Sequence, residues 1–186
     1  MTTPDNPKPP GTATSAASSA LASIASLGSQ RTHPAAWLWL SAFVIGFDQV
    51  TKFLATRFLE LYERVEVLPV LDFTLLHNTG AAFSILANAS GWQRSFFITL
   101  GLVVSVALIV WLWRLPRGEK FLPLALALIV GGAIGNVIDR ILHGHVIDFI
   151  HAHWGGAYFP AFNIADSAIT IGAALLIFDA FRERHA

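Results

Sequence analysis

The sequence predicts an all-α membrane protein built on four transmembrane helices, and three observations carry that expectation. Of 186 residues, 54% are hydrophobic and only 13% charged, against about 25% charged in typical globular chains. A domain of this length cannot hide so much apolar surface from water, so lipid must be its main solvent. Uncharged runs of membrane-spanning length recur along the chain, and the few charges that interrupt apolar stretches gather at one depth. Twelve basic and twelve acidic residues cancel, which removes the basic excess of a nucleic-acid binder. There is no cysteine, so disulfides, cysteine–zinc sites and a thiol nucleophile are excluded.

Residues 1–30 are dominated by Ala, Ser, Thr, Pro and Gly. They carry too little apolar mass to offset the entropy of ordering, and are expected to form a disordered extension. Residues 15–28 lack the basic start and dense apolar run of a secretion signal. The remaining residues, 31–186, form the membrane domain, with spans expected at about 35–59, 95–113, 121–141 and 160–181. The second is the cleanest, bounded by Arg94 and Arg114, and rises about 28 Å as a helix, close to the thickness of a hydrocarbon core. The first contains Asp48 and Lys52 and the fourth Asp166. Each such charge costs roughly 2.5–3.5 kcal/mol on insertion scales.

Arg31, Arg114, Arg117, Lys120, Arg182 and Arg184 mark cytoplasmic ends, which puts both termini inside. Trp37, Trp39, Trp111 and Trp113 sit near span ends as interfacial anchors. Two segments then face outward. Residues 62–92 hold a β-like stretch at 68–76 and a turn signal at Asn78-Thr79-Gly80. Residues 142–159 read as a second outer loop carrying Asp148.

The polar residues converge toward the outer leaflet. Gly132, Asn136 and Arg140 share one face of the third helix, with Asp139 beside it. Gly131 and Gly135 form a small-xxx-small pair that lets a neighbouring helix approach. Asn163 and Asp166 fall in the first turns of the fourth helix. Asp48 and Lys52 have the favoured acid-before-base spacing of a helical ion pair that braces the site. Asn136 and Asn163 read equally as interhelical hydrogen-bond glue or as site residues. Asp139 reads first as a helix-end charge at the headgroups.

Asp148 and Asp166 resist such structural readings, because neither has a basic residue three or four positions away. Two carboxylates brought together at low dielectric share a proton. One then takes a proton from water while the other donates to the scissile carbonyl or leaving amine. Two such groups titrate as a pair and not as single residues. A proton-coupled transporter is the alternative, but it would spread polar groups across the bilayer, and here the inner halves of the spans are apolar. His143, His145, His151 and His153 match no strong metal signature, so no metal and no cofactor are expected.

Five blocks carry a resemblance: Asp48-Gln49-Val50-Thr51-Lys52, Asn78-Thr79-Gly80-Ala81-Ala82-Phe83, Gly135-Asn136-Val137-Ile138-Asp139-Arg140, Gly144-His145-Val146-Ile147-Asp148-Phe149 and Phe162-Asn163-Ile164-Ala165-Asp166-Ser167. In order and depth they resemble the motif blocks of bacterial lipoprotein signal peptidases, or signal peptidase II. The resemblance covers residues 35–181 and leaves the N-terminal tail as an extension.

It implies an aspartic endopeptidase of the inner membrane, with its active site on the periplasmic side. The implied substrate is a prolipoprotein carrying a diacylglyceryl group on cysteine, cleaved just before that cysteine. Asp148 and Asp166 map onto the catalytic pair. Asp48, Lys52, Asn78, Gly80, Asn136, Asp139, Arg140 and Asn163 map onto positions that shape the site and hold substrate backbone. The outer segment around 61–90 is similar to a small extracytoplasmic β-containing cradle lying on the membrane. Membrane lipid is the other implied partner, and the motifs suffice for a monomer.

Overall fold

The computed structural model describes residues 33–80 and 92–183. A 3-10 turn at Pro34–Trp37 leads into α1 (Leu38–Phe58), with the His33 ring accepting from the Ala35 amide (3.1 Å). Strands β1 (Arg64–Leu68) and β2 (Leu71–Asn78) follow. Next come α2 (Trp92–Arg114), α3 (Phe121–Leu142), β3 (Val146–Trp154), β4 (Ala157–Tyr158) and α4 (Ile164–Glu183). All four helices are long and apolar enough to cross a membrane.

The bundle is organised around α3. Eleven of its residues are buried, against three in the similarly long α2, so α3 is the axis and α2 leans on it with most of its surface outward. Large apolar side chains such as Trp39, Phe43, Phe53 and Phe58 on α1, and Val103 and Val106 on α2, are exposed, as expected where the surrounding solvent is hydrocarbon. Close approach to α3 depends on glycine. A Cβ on Gly131 would meet Val44 at 2.8 Å and one on Gly135 would meet Asp48 Oδ2 at 2.7 Å, so α1 packs directly on this pair. On the other side, a Cβ on Gly132 would collide with the Ala165 carbonyl of α4.

The four strands form one antiparallel sheet in the order β1-β2-β3-β4. The Gly155-Gly156 turn, with φ of +56° and +85°, closes the β3–β4 hairpin, since both central positions of such a turn need left-handed backbone. In the β2–β3 register Asn78 lies opposite Val146, His77 opposite Ile147 and Leu76 opposite Asp148. Because side chains alternate faces, Asn78, Val146 and Asp148 share one side of the sheet, while His77, His145 and Ile147 share the other.

Three sequence expectations need correction. Asp148 lies on a strand, not on a loop: residues 146–149 are all buried, and a short apolar run covered on both faces carries no alternation to announce it. The β-like stretch expected at 68–76 has wider bounds, forming two strands, Arg64–Leu68 and Leu71–Asn78, joined by a turn. The fourth helix starts at Ile164 and not near 160, because the Phe162 amide and carbonyl both pair with Ile150 of β3 (2.9 Å each). The expected tail at 1–30 and motif positions 81–83 lie outside the described residues.

Candidate active site

The site grows from a buried cation. Lys52 on α1 is 1% exposed, and its Nζ lies 2.8 Å from Asp48 Oδ2, one helical turn back, and 2.8 Å from Asp139 Oδ2 on α3. It also donates to Asn136 Oδ1 at 3.1 Å. The expected Asp48–Lys52 pair is therefore present, but it is two-thirds of a triad. Asp139, read from sequence as a headgroup charge, is 1% exposed and accepts from the Ile147 amide of β3 (3.1 Å) and from Gln49 Nε2 (2.8 Å). Asp139 is therefore no headgroup charge: α3 brings it against α1, where a bare carboxylate would be costly, and Lys52 neutralises it. Asp48 spends its other oxygen on the Ala165 amide at 2.8 Å, one of the N–H groups a helix start leaves without an internal partner. Asp48 thereby fixes where α4 begins.

Three asparagines then aim their amides at two carboxylates. Asn136 Oδ1 faces Lys52 and Asn163, so its Nδ2 is turned to Asp166 Oδ1 (2.7 Å). Asn163 sits just before α4 and caps it, its Oδ1 accepting from the Asp166 amide (2.8 Å), a common start for a helix. Its Nδ2 therefore reaches Asp148 Oδ1 at 2.7 Å, and also Ile147 O at 3.2 Å. Asn78 Oδ1 accepts from the Gly80 amide in the turn foreseen from sequence, which points Nδ2 at Asp148 Oδ2 (3.0 Å). In each case the oxygen is pinned by a donor, so the amide orientation follows from the network and not from choice.

Asp148 is 2% exposed, and burial is the main reason its carboxyl is pushed up to about 7, with the nearby Asp166 charge adding to the effect. Hydrogen bonds from Asn78 and Asn163 pull it back only in part. Asp166 lines a cavity of about 640 Å³ together with Asn78, Asn136, Arg140, Phe97 and Ile171. Asp148 is not among the lining residues, but it accepts from Asn78, which is. Arg140 donates to Gly80 O (3.1 Å) and Asn136 O (3.3 Å), and its guanidinium lies over the Phe97 ring at 4.9 Å. Among the described residues it pairs with no carboxylate within ion-pair distance.

Residues 40–182 match the family model described as signal peptidase (SPase) II. The chain belongs to the signal peptidase II family. A lipoprotein signal peptidase of Pseudomonas putida is 54% identical over 151 residues, which is 80% of this chain and 88% of that one. One of Acinetobacter baumannii is 54% identical over 149 residues, 80% of this chain and 85% of its own. A solved bacterial membrane enzyme, 37% identical, superposes with a TM-score of 0.73 over 80% of this chain and 89% of its own.

All ten residues singled out from sequence in this signal peptidase II chain fall in one connected network. Gln49 was missed. Its Nε2 bridges Asp139, Asp48 and the Gly135 carbonyl, and a glutamine beside an aspartate in a membrane run was the available signal. His143, His145, His151 and His153 do not form one cluster. His77 and His145 stack at 3.9 Å, with His143 6.0 Å from His145. His151 and His153 instead pack on Tyr158, where His153 and Arg64 both reach the buried Asp72. Burial first, and then the neighbouring His77 and His143, hold His145 below the ordinary histidine range. Among the described residues no group of three or more such side chains is arranged to hold a metal.

Proposed function

We propose that this signal peptidase II chain is an intramembrane aspartic endopeptidase whose working pair is Asp148 and Asp166. Its substrate is a diacylglyceryl-modified prolipoprotein, cut just before the lipidated cysteine. The observation that carries this reading is the convergence of two carboxylates, from β3 and from α4, on one asparagine frame beside an apolar cavity. Asp148 rises to about 7 partly because Asp166 is near, so below that pH the pair holds one proton between them. One carboxylate removes a proton from water as its oxygen adds to the scissile carbonyl, and the other protonates the carbonyl oxygen. Collapse of the tetrahedral diol breaks the C–N bond, and the amine leaves with a proton from the pair. Water and protein suffice, so no cofactor is required.

Asn136, Asn163 and Asn78 keep the carboxylates in register, and Asp48, Lys52 and Asp139 hold those asparagines. Arg140 and Gly80 shape the cavity wall that meets substrate backbone. The cavity opens along apolar residues such as Ile169 and Ile171, which suits a substrate anchored in lipid by its acyl chains. The orientation that fits such a substrate has both termini in the cytoplasm and the site at the periplasmic face of the inner membrane. Residues 31–186 then act as a monomeric peptidase domain, with membrane lipid as its solvent.

The test incubates purified protein with a diacylglyceryl-modified precursor in 18O-labelled water and reads the products by mass spectrometry. One 18O atom in the new carboxylate of the signal peptide, with cysteine at the new N-terminus, is expected. Cleavage elsewhere, or no label in that carboxylate after a single turnover, would overturn the reading.

A further inference from the structure

Arg94, in the first turn of α2, belongs to none of the motif blocks and touches neither carboxylate. Its Nε donates to the Arg140 carbonyl at 2.8 Å and its Nη2 to the Ile141 carbonyl at 3.0 Å. Both carbonyls lie in the last turn of α3, where the Arg140 carbonyl also accepts from the Gly144 amide (3.2 Å), and a cation there suits the helix dipole. One turn along α2 from Arg94, Phe97 offers its ring face to the Arg140 guanidinium. The first turn of α2 therefore grips a single residue of α3 twice, by its backbone and by its side chain.

The gripped residue needs holding. Arg140 Nε is buried and finds no acceptor among the described residues, an arrangement that costs free energy and persists only because neighbours enforce it. What it achieves is a bond from Arg140 to Gly80 O (3.1 Å). That bond ties down the turn in which Gly80 N–H orients Asn78 toward Asp148. A continuous series of contacts thus runs from Arg94 through Arg140, Gly80 and Asn78 to Asp148.

We propose that Arg94 is a positioning residue for peptide cleavage, acting through Arg140 and the Asn78–Gly80 turn on the placement of Asp148. The proposal rests on the assignment of Asp148 and Asp166 as the working pair. It gives the outwardly placed α2 a part in the reaction beyond crossing the bilayer.

The full-length detergent-solubilised enzyme is assayed on a lipopeptide bearing a diacylglyceryl cysteine. Arg94→Ala is expected to lower kcat, by up to about 100-fold as misplacement of a reacting group by an ångström does, with KM little changed. Arg94→Lys, which keeps the charge and one donor, recovers part of that loss. In a double-mutant cycle the Arg94→Ala loss shrinks when Asn78 is already alanine, because both changes act along one series of contacts. An unchanged kcat in folded Arg94→Ala overturns the proposal and leaves Arg94 a helix cap. So does a loss that simply multiplies with that of Asn78→Ala. If Arg94→Ala does not accumulate folded, Arg94→Lys and Phe97→Leu are read in the same way. Asp148→Asn runs alongside: turnover by that variant would remove the working-pair assignment itself, whereas an inactive Asp148→Asn with a fully active Arg94→Ala would remove only this inference.

Discussion

Replacing Lys52 by methionine keeps the length of the side chain and deletes its charge, and the structure sets the cost. Lys52 Nζ is the shared partner of Asp48 and Asp139 at 2.8 Å each, and all three side chains are buried. Without it two carboxylates remain at low dielectric with no cation. Each retains one backbone amide, from Ala165 and from Ile147, and shares Gln49, which are hydrogen bonds but not countercharges. Removing one member of a buried ion pair typically costs about 3–5 kcal/mol. Against a total stability of about 5–15 kcal/mol, that is a large share. The loss is chiefly the stranded charge, so neutralising an acid should repair part of it: Lys52→Met with Asp139→Asn is expected to be more stable than Lys52→Met alone. Equilibrium unfolding in mixed micelles measures both. A Lys52→Met stability within about 1 kcal/mol of the parent would refute the reasoning, because surface pairs behave that way and buried ones do not.

Three further outcomes follow from the same geometry. Since the carboxyl of Asp148 lies near 7, kcat/KM should fall as pH rises through about 7 and the pair loses its proton, as a pH–rate profile will show. The folded state holds that proton more tightly than the unfolded chain, whose value is 3.8. The stability it lends is therefore complete below 3.8 and lost as pH rises to about 7. The parent should lose about 3 kcal/mol between pH 5 and pH 8 through this group, while Asp148→Asn shows a flatter profile in the same unfolding assay. Gly132→Ala drives a methyl into the Ala165 carbonyl and should lower stability by about 1–3 kcal/mol, the range for overpacking, with a lowered Tm as the readout.

What the sequence made legible is what lipid and covalent geometry dictate. Uncharged runs of fixed length had to be helices, since a bilayer core leaves backbone groups no other partner. Asp48 and Lys52 had to meet because four positions make one helical turn. Gly131 and Gly135 share a face by the same periodicity, and α1 indeed packs there.

What stayed hidden depends on which distant segments meet. Asp139 looked like a helix-end charge because its cation lies on another helix 87 positions earlier. Strand β3 was read as loop because Val146, Ile147, Asp148 and Phe149 are buried on both faces, so no polar alternation marks them. Phe162 and Asn163 looked helical in an apolar run, but Ile150 claims the backbone of one and Asp148 the amide of the other. Arg94 was legible only as the charge that bounds a span, for its acceptors are backbone carbonyls of α3.

The most direct test of the paired-carboxylate account is single-turnover cleavage of a diacylglyceryl-modified precursor by Asp148→Asn and by Asp166→Asn, each first shown to unfold cooperatively. Each variant alone should bring cleavage to background, and the double variant should be no worse than either, because the two groups work as a unit. Parent-like turnover by either folded single variant would contradict the account.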